Sequence, residues 1–179
     1  MIHSNNNKIE GIHLFTPKRF QDKRGIFFEI FQKTNRSYKD LNVEFKQENF
    51  SRSKRNVLRG LHFCKFNPQA QLVTVIKGEI LDVVVDLRIN SKTFGRWNSF
   101  KLSDQAISQI FMEKGFAHGF YVISDYVDMH YKVSEIFNPN DDHGIIWNDK
   151  DLSIRWPSSD PIISDKDKSF PCFKDIKFS

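Results

Sequence analysis

No apolar run in this chain is long enough to cross a membrane as a helix, and the opening residues, MIHSNNNKIEG, lack the apolar centre of a secretion signal. The expectation is a soluble, cytoplasmic protein. Cysteine is scarce: Cys64 and Cys172 stand far apart and match neither a metal-binding nor a redox spacing. That excludes a disulfide scaffold and leaves two free thiols in a reducing compartment. Linkers rich in proline or serine are absent, so residues 1–179 read as one domain, large enough to bury a core without staples. A dominant charge sign is missing as well. The 27 Lys and Arg are scattered among 22 Asp and Glu, for a net charge of +5. The densest basic cluster, RSKR at 52–55, is short and reads as a solvated loop. Without a basic stripe or a nucleic-acid motif, nucleic-acid binding is not expected, whereas a modest positive bias suits a phosphorylated small molecule. Helical periodicity is weak, and no repeat of fixed period occurs.

What is abundant is phenylalanine, 18 residues of it, in segments that read as strands. These are GIFFEIF (25–31), QLVTVIKGEILDVVVDLR (71–88), QIFMEKGFAHGFYVIS (109–124) and VDMHYKVSEIF (127–137). Lys77-Gly78 predicts a hairpin inside the second, and Gly115 with Gly119 predicts a tight corner in the third. SYKDLNVEF (37–45) carries a short helical signal, while DKDL (149–152) and SDKD (164–167) read as turns or caps. Many short strands separated by turns predict a sandwich, jelly roll or small barrel.

The stretch NVLRGLHF (56–63) raises the question of function, because a purely structural strand has little use for Arg59 and His62 together. In a regular strand His62 and Cys64 share one face, and Arg59, Leu61 and Phe63 the other. Both polar groups serve one pocket only if the strand is irregular, and Gly60 is the place for a bulge. The bland alternative is an interior histidine beside a solvent-facing arginine. A metal site needs three or four converging ligands, yet His3, His13, His62, His118, His130 and His143 form no HxH pair, so no metal is expected. No nucleophile turn surrounds Cys64, which reads as a packing residue. In VDMHYKV, Val127, Met129, Tyr131 and Val133 share the apolar face, opposite Asp128, His130 and Lys132. Tyr131 is then a core residue or, in a pocket, a proton donor. Asp165 and Asp167 in SDKD are a charged turn by composition, and either has the chemistry to orient an imidazole.

Seven ordered blocks carry a resemblance: DKRGIFFEIF, FKQENFSRSKRNVLRGLHF, KGEILDVVVDLR, SKTFGRWNSFKLS, KGFAHGFYVIS, IIWNDKDLSIRWP and ISDKDKSFP. Together they resemble the RmlC-type nucleotide-sugar epimerases, dTDP-4-dehydrorhamnose 3,5-epimerase and its relatives, over nearly the whole chain. The resemblance implies an all-β, cupin-type jelly-roll barrel with a few short helices, and a homodimer with shared active sites. It implies no metal and no cofactor. By the same resemblance His62 is the catalytic base, Asp167 its carboxylate partner and Tyr131 the acid across the sugar ring. Arg59, Gln47, Asn49 and Lys166 match positions that hold the substrate and its diphosphate. His118 and Asp142 match further pocket positions, the latter commonly Glu in relatives. Arg24 and Glu29 match nucleotide contacts that often come from the neighbouring subunit.

The implied chemistry fits these residue types. A ketone at C4 acidifies the C–H bonds at C3 and C5. A neutral imidazole suits abstraction near pH 7, and return of a proton from the opposite face inverts the centre. Two departures stand out. Gln71, in QAQLV, replaces a lysine that relatives place near the C4 oxygen, and Cys64 replaces a common Gln. An amide still donates to an enolate but brings no charge. The expected function is epimerisation of an NDP-4-keto-6-deoxy sugar at C3 and C5 in surface-polysaccharide biosynthesis. The alternatives are a single-centre C3 epimerase, acting on a GDP-linked 4-keto sugar or a heptose, and a nucleotide-sugar-binding protein without catalysis.

Overall fold

Alternation along the strands decides the architecture of the chain, whose computed structural model describes residues 9–35 and 38–178. His3 and Ser37 lie outside the described residues. Among the described residues, twelve strands account for most of the regular secondary structure. The first four are β1 (Ile12–Phe15), β2 (Arg19–Asp22), β3 (Gly25–Phe28) and β4 (Gln47–Lys54). They are followed by β5 (Leu58–Cys64), β6 (Gln71–Lys77), β7 (Glu79–Asp86) and β8 (Trp97–Ser103). The last four are β9 (Gln109–Met112), β10 (Phe116–Val122), β11 (Tyr126–Val133) and β12 (Asp142–Gly144). One helical turn, α1 (Asp165–Lys168), and short 3₁₀ turns such as Lys39–Leu41 are the only helices among the described residues.

The strands form two five-stranded antiparallel sheets, ordered β1-β9-β6-β11-β4 and β12-β5-β10-β7-β8, with β2 and β3 as a separate two-stranded arm. This is the all-β jelly roll that was expected. Val73, Val75, Ile110, Met112, Val127 and Met129 from the first sheet meet Ile80, Val84, Leu102, Phe116 and Phe120 from the second, forming the inter-sheet core. Each such side chain stabilises the fold by about 1.5–3 kcal/mol when fully buried. The outer face of the second sheet is covered too, by Ile145, Leu152, Ile163 and the aromatic rings of the C-terminal segment. Burial on both faces explains why Ile80–Leu87 reads as a continuous apolar run rather than an alternating one.

Several local expectations need correction. Gly78 has φ +92 and makes a tight turn, but β6 and β7 belong to different sheets, so the turn is a corner between layers and not a hairpin. The corner before β10 uses Gly115 alone, at φ +88, whereas Gly119 lies within the strand. The segment 29–31 is outside β3. RSKR is strand and not loop: Arg52 pairs with Asp128, Ser53 is buried, and Arg55 pairs with Asp125 just beyond the strand end.

Candidate active site

The irregularity required of β5 is present. Pairing runs from His118↔His62 to Phe120↔Arg59, so β5 advances three residues while β10 advances two. The extra residue shifts the parity of the strand, and Arg59 and His62 line the same cavity. Glycine is needed at this point on both strands. A Cβ on Gly60, whose φ is +117, would lie 2.6 Å from Gly119 Cα, and one on Gly119 would lie 2.9 Å from Arg59 O. Two glycines let the backbones approach where any side chain would separate them.

The cavity, of ≈ 370 Å³, opens off the inter-sheet core between β5 and β10 on one wall and β4, β6 and β11 on the other. On the first wall His62 Nε2 lies 3.0 Å from Asp167 Oδ1. Asp167 Oδ2 accepts the Gly60 N–H at 3.0 Å, and the Asp167 N–H donates to Ser164 Oγ at 3.1 Å, capping α1. Burial on its own would raise the Asp167 pKa. The hydrogen bond and charge of His62, with the Gly60 N–H and Ser164, outweigh burial and hold it below the ordinary carboxylate value. Asp165 is fully exposed, so the fold selects Asp167 as the histidine's partner. With Nε2 engaged, the second nitrogen of His62, Nδ1, has no hydrogen bond among the described residues.

Tyr131 stands on the opposite wall, on β11, with Met129 and Val133 on its face and Asp128, His130 and Lys132 turned outward to Arg52 and Glu48. Burial raises the Tyr131 pKa, against a smaller lowering by the Arg59 charge, so the phenol is neutral at physiological pH. β4 turns Gln47, Asn49 and Ser51 toward the same space. Gln47 Nε2 donates to Asn49 Oδ1 at 2.8 Å, and Gln47 Oε1 accepts the Phe137 N–H at 2.9 Å. Arg59 Nε donates to Ser53 Oγ at 3.0 Å. Gln71 lines the wall at the start of β6, on the same side of the strand as Val73.

Asp142 also lines the cavity and accepts a bond from Lys166 Nζ at 2.5 Å, so Lys166 reaches the rim through its partner and is not itself a lining residue. Cys64 is half-buried at the wall. Burial raises its pKa despite a hydrogen bond to Sγ from Gln69 Nε2 at 2.8 Å, which agrees with a packing residue and not a thiolate. Arg24 and Glu29 are not brought to this cavity by their own chain. Arg24 sits at the tip of the β2–β3 arm on Asp22, and Glu29 accepts a bond from Asn35 Nδ2 at 3.2 Å.

Sequence reasoning missed Asp82. It is fully buried on β7, and its Oδ2 lies 2.7 Å from Nε2 of cavity-lining His118, the cross-strand neighbour of His62, which makes a second carboxylate–imidazole pair. A carboxylate in the middle of the apolar run ILDVVVD was the available signal.

Comparisons with known proteins place the sequence and the fold. The sequence profile of the family described as dTDP-4-dehydrorhamnose 3,5-epimerase matches residues 6–175. The dTDP-4-dehydrorhamnose 3,5-epimerase of Methanothermobacter thermautotrophicus is 45% identical over 165 residues, which is 90% of this chain and 89% of its own. Among solved structures, the dTDP-6-deoxy-D-glucose-3,5-epimerase of Legionella pneumophila, in complex with dTDP-4-keto-L-rhamnose, superposes with a TM-score of 0.90. It has 39% identity over 98% of this chain and 95% of that one. ChmJ, a 3'-monoepimerase of Streptomyces bikiniensis in complex with dTDP-quinovose, has a TM-score of 0.85 and 31% identity over 93% of this chain and 85% of its own. Fold and sequence coincide over almost the full length, and the chain belongs to the dTDP-4-dehydrorhamnose 3,5-epimerase family.

Proposed function

We propose that this cavity epimerises a dTDP-linked 4-keto-6-deoxy sugar at C3 and C5, supplying deoxysugar for surface polysaccharide. The observation that carries the assignment is the His62–Asp167 pair on one sheet facing the neutral Tyr131 phenol on the other. His62 Nδ1 takes the proton from C3 or C5, and the electron pair moves onto the C4 carbonyl to give an enolate. Asp167 holds the proton on Nε2 and stabilises the imidazolium. Tyr131 then delivers its hydroxyl proton to the opposite face of the same carbon, and solvent restores both groups. Gln71 donates its amide N–H to the C4 oxygen as charge develops there, while Arg59 and Gln47 hold the substrate on the cavity walls. Thymidine as the nucleoside is supported by the relatives, whose names specify dTDP. Every step is proton transfer, and no cofactor enters it.

The same proposal includes a homodimer. The β2–β3 arm exposes Phe20, Ile26 and Phe27, along with Arg24, away from its own cavity. A second copy that covers these apolar side chains would deliver Arg24 of its arm, and Glu29 just beyond the arm, to the neighbouring nucleotide.

Incubation with dTDP-4-keto-6-deoxyglucose in D2O tests the reaction. Deuterium at both C3 and C5 by NMR is the expected result, with the label abolished and dTDP binding kept in His62→Ala. Label at C3 alone would make this a single-centre enzyme like the 3'-monoepimerase it resembles. Saturable binding with no label would reject catalysis.

A further inference from the structure

The chain beyond Asp167 turns back across His62. Ser169 Oγ donates to Lys166 O at 2.7 Å and closes α1. The Ile146 N–H then donates to Pro171 O at 2.9 Å, and the Phe173 N–H to Asp149 Oδ2 at 2.8 Å. The first bond ties the residue before Phe170 to α1, and the other two fix the backbone after it against the segment that follows β12. The Phe170 ring is half-buried, yet it belongs to none of the three apolar clusters of the protein. Its aromatic contact is His62: the ring centroids are 5.6 Å apart and the planes are 83° from parallel.

Gly144 makes the room for this contact. It pairs with His62 in the β12–β5 register, and a Cβ at that position would lie 2.2, 2.3 and 2.5 Å from three atoms of the Phe170 ring. Its φ is outside the left-handed region, so the absence of a side chain here is explained by space and not by backbone conformation. A single hydrogen bond to Asp167 leaves an imidazole free to swing about that bond. A ring standing edge-on against it removes that freedom.

We propose that Phe170, seated in the space left by Gly144, is a positioning residue that holds the plane of the His62 imidazole on Asp167 so that Nδ1 faces the cavity. This rests on the assignment of His62 as the base. Neither Phe170 nor Gly144 lines the cavity, so their effect on turnover passes through the histidine.

The test compares Phe170→Leu, Gly144→Ala, the double variant and Phe170→Tyr with the unaltered protein. It follows deuterium incorporation at saturating substrate, dTDP affinity, and the 15N signals of the His62 ring, assigned with His62→Asn. Phe170→Leu and Gly144→Ala should each slow exchange by about 10- to 100-fold while dTDP affinity changes by less than about twofold, since misplacing a reacting group costs rate and not nucleotide binding. The double variant should be no slower than the worse single variant, because the added methyl displaces the same ring that the leucine removes. Phe170→Tyr keeps the ring and should stay within about threefold of the unaltered rate.

Multiplying losses in the double variant, an unchanged rate in Phe170→Leu, or a loss confined to dTDP affinity would each overturn the proposal. Absence of any label in the unaltered protein would instead defeat the assigned reaction. The 15N signals would still decide this point: one His62 tautomer giving way to a mixture in Phe170→Leu supports the positioning role, and an unchanged spectrum removes it.

Discussion

Replacing Asp167 by Asn keeps the side-chain shape and removes one charge, and the structure determines how that change propagates. The carboxylate has two demands on it: Oδ1 meets His62 Nε2 at 3.0 Å and Oδ2 accepts the Gly60 N–H at 3.0 Å. An asparagine can satisfy one of these. With its oxygen toward Gly60, its NH2 faces Nε2 and forces the imidazole into the tautomer that carries its proton on Nδ1. The nitrogen facing the cavity is then a donor and cannot take a proton from the sugar. With the amide reversed, two N–H groups oppose each other at Gly60, in a site where Asp167 is only 4% exposed.

The magnitude follows from the tautomer. An inverted tautomer at a histidine base costs on the order of 10³- to 10⁴-fold in rate. At 1.36 kcal/mol per decade that is about 4–5.5 kcal/mol of lost transition-state stabilisation. Deuterium incorporation from D2O is the assay, with dTDP binding as the control. Binding should persist, since Asp167 is the histidine's partner and not a nucleotide contact. Exchange within tenfold of the unaltered rate would refute the assignment of Asp167. The same substitution predicts a change in acid stability. Because the folded protein lowers the Asp167 pKa, this carboxylate contributes stability above its unfolded pKa, and the contribution fades as pH falls through the folded value. Asp167→Asn should remove that part of the acid transition.

Further outcomes are expected at three other residues. Tyr131→Phe should lower net inversion by about 10²- to 10⁴-fold while His62 still exchanges protons on its own face, so label without epimer would be its signature in NMR. Because burial raises the Tyr131 pKa, loss of the phenol proton should not limit activity below about pH 10. Gln71→Lys should change the exchange rate or the ratio of C3 to C5 label more than it changes the melting temperature; an unaltered ratio and rate would place position 71 away from the enolate. Asp86→Asn tests acid stability at a site remote from the chemistry. Burial would raise the Asp86 pKa, but bonds from Arg88, Ser91 and Thr93 lower it to about 2, so it contributes about 2 kcal/mol at neutral pH that is lost as pH falls from about 4 toward 2. The variant's unfolding free energy should be lower at pH 7 and flatter across that window.

The legible parts of this molecule are those where local chemistry allowed one outcome. On β11 the apolar phase of Val127, Met129, Tyr131 and Val133 could face only the core, and the structure buries that phase. Gly60 was the sole residue between Arg59 and His62 able to accept a bulge without a side-chain clash, and the bulge is there. Lys77-Gly78 was ambiguous in principle. A positive-φ glycine serves a hairpin and a corner between sheets equally well, and the outcome depends on whether β6 finds its partners in β9 and β11 or in β7. Asp165 and Asp167 were equivalent by composition. The distinction arises when Ser164 caps α1, because the fold then buries one carboxylate and leaves the other in solvent.

RSKR and Asp82 were misjudged or overlooked for one shared reason. Strand recognition from sequence assumes that one face of a strand is apolar. On β4 the inward face is Gln47, Asn49, Ser51 and Ser53, and the outward face is Glu48, Phe50, Arg52 and Lys54, so the expected alternation is nearly erased. Gln47, Asn49 and Ser51 are polar because they border the cavity, and buried Ser53 accepts a bond from cavity-lining Arg59. Asp82 breaks an apolar run because His118 reaches back to it from the cavity wall, and a buried imidazole needs a partner. Both of these failures of the hydrophobic pattern therefore trace to the cavity, and in a jelly roll with a polar substrate such failures help to locate the site.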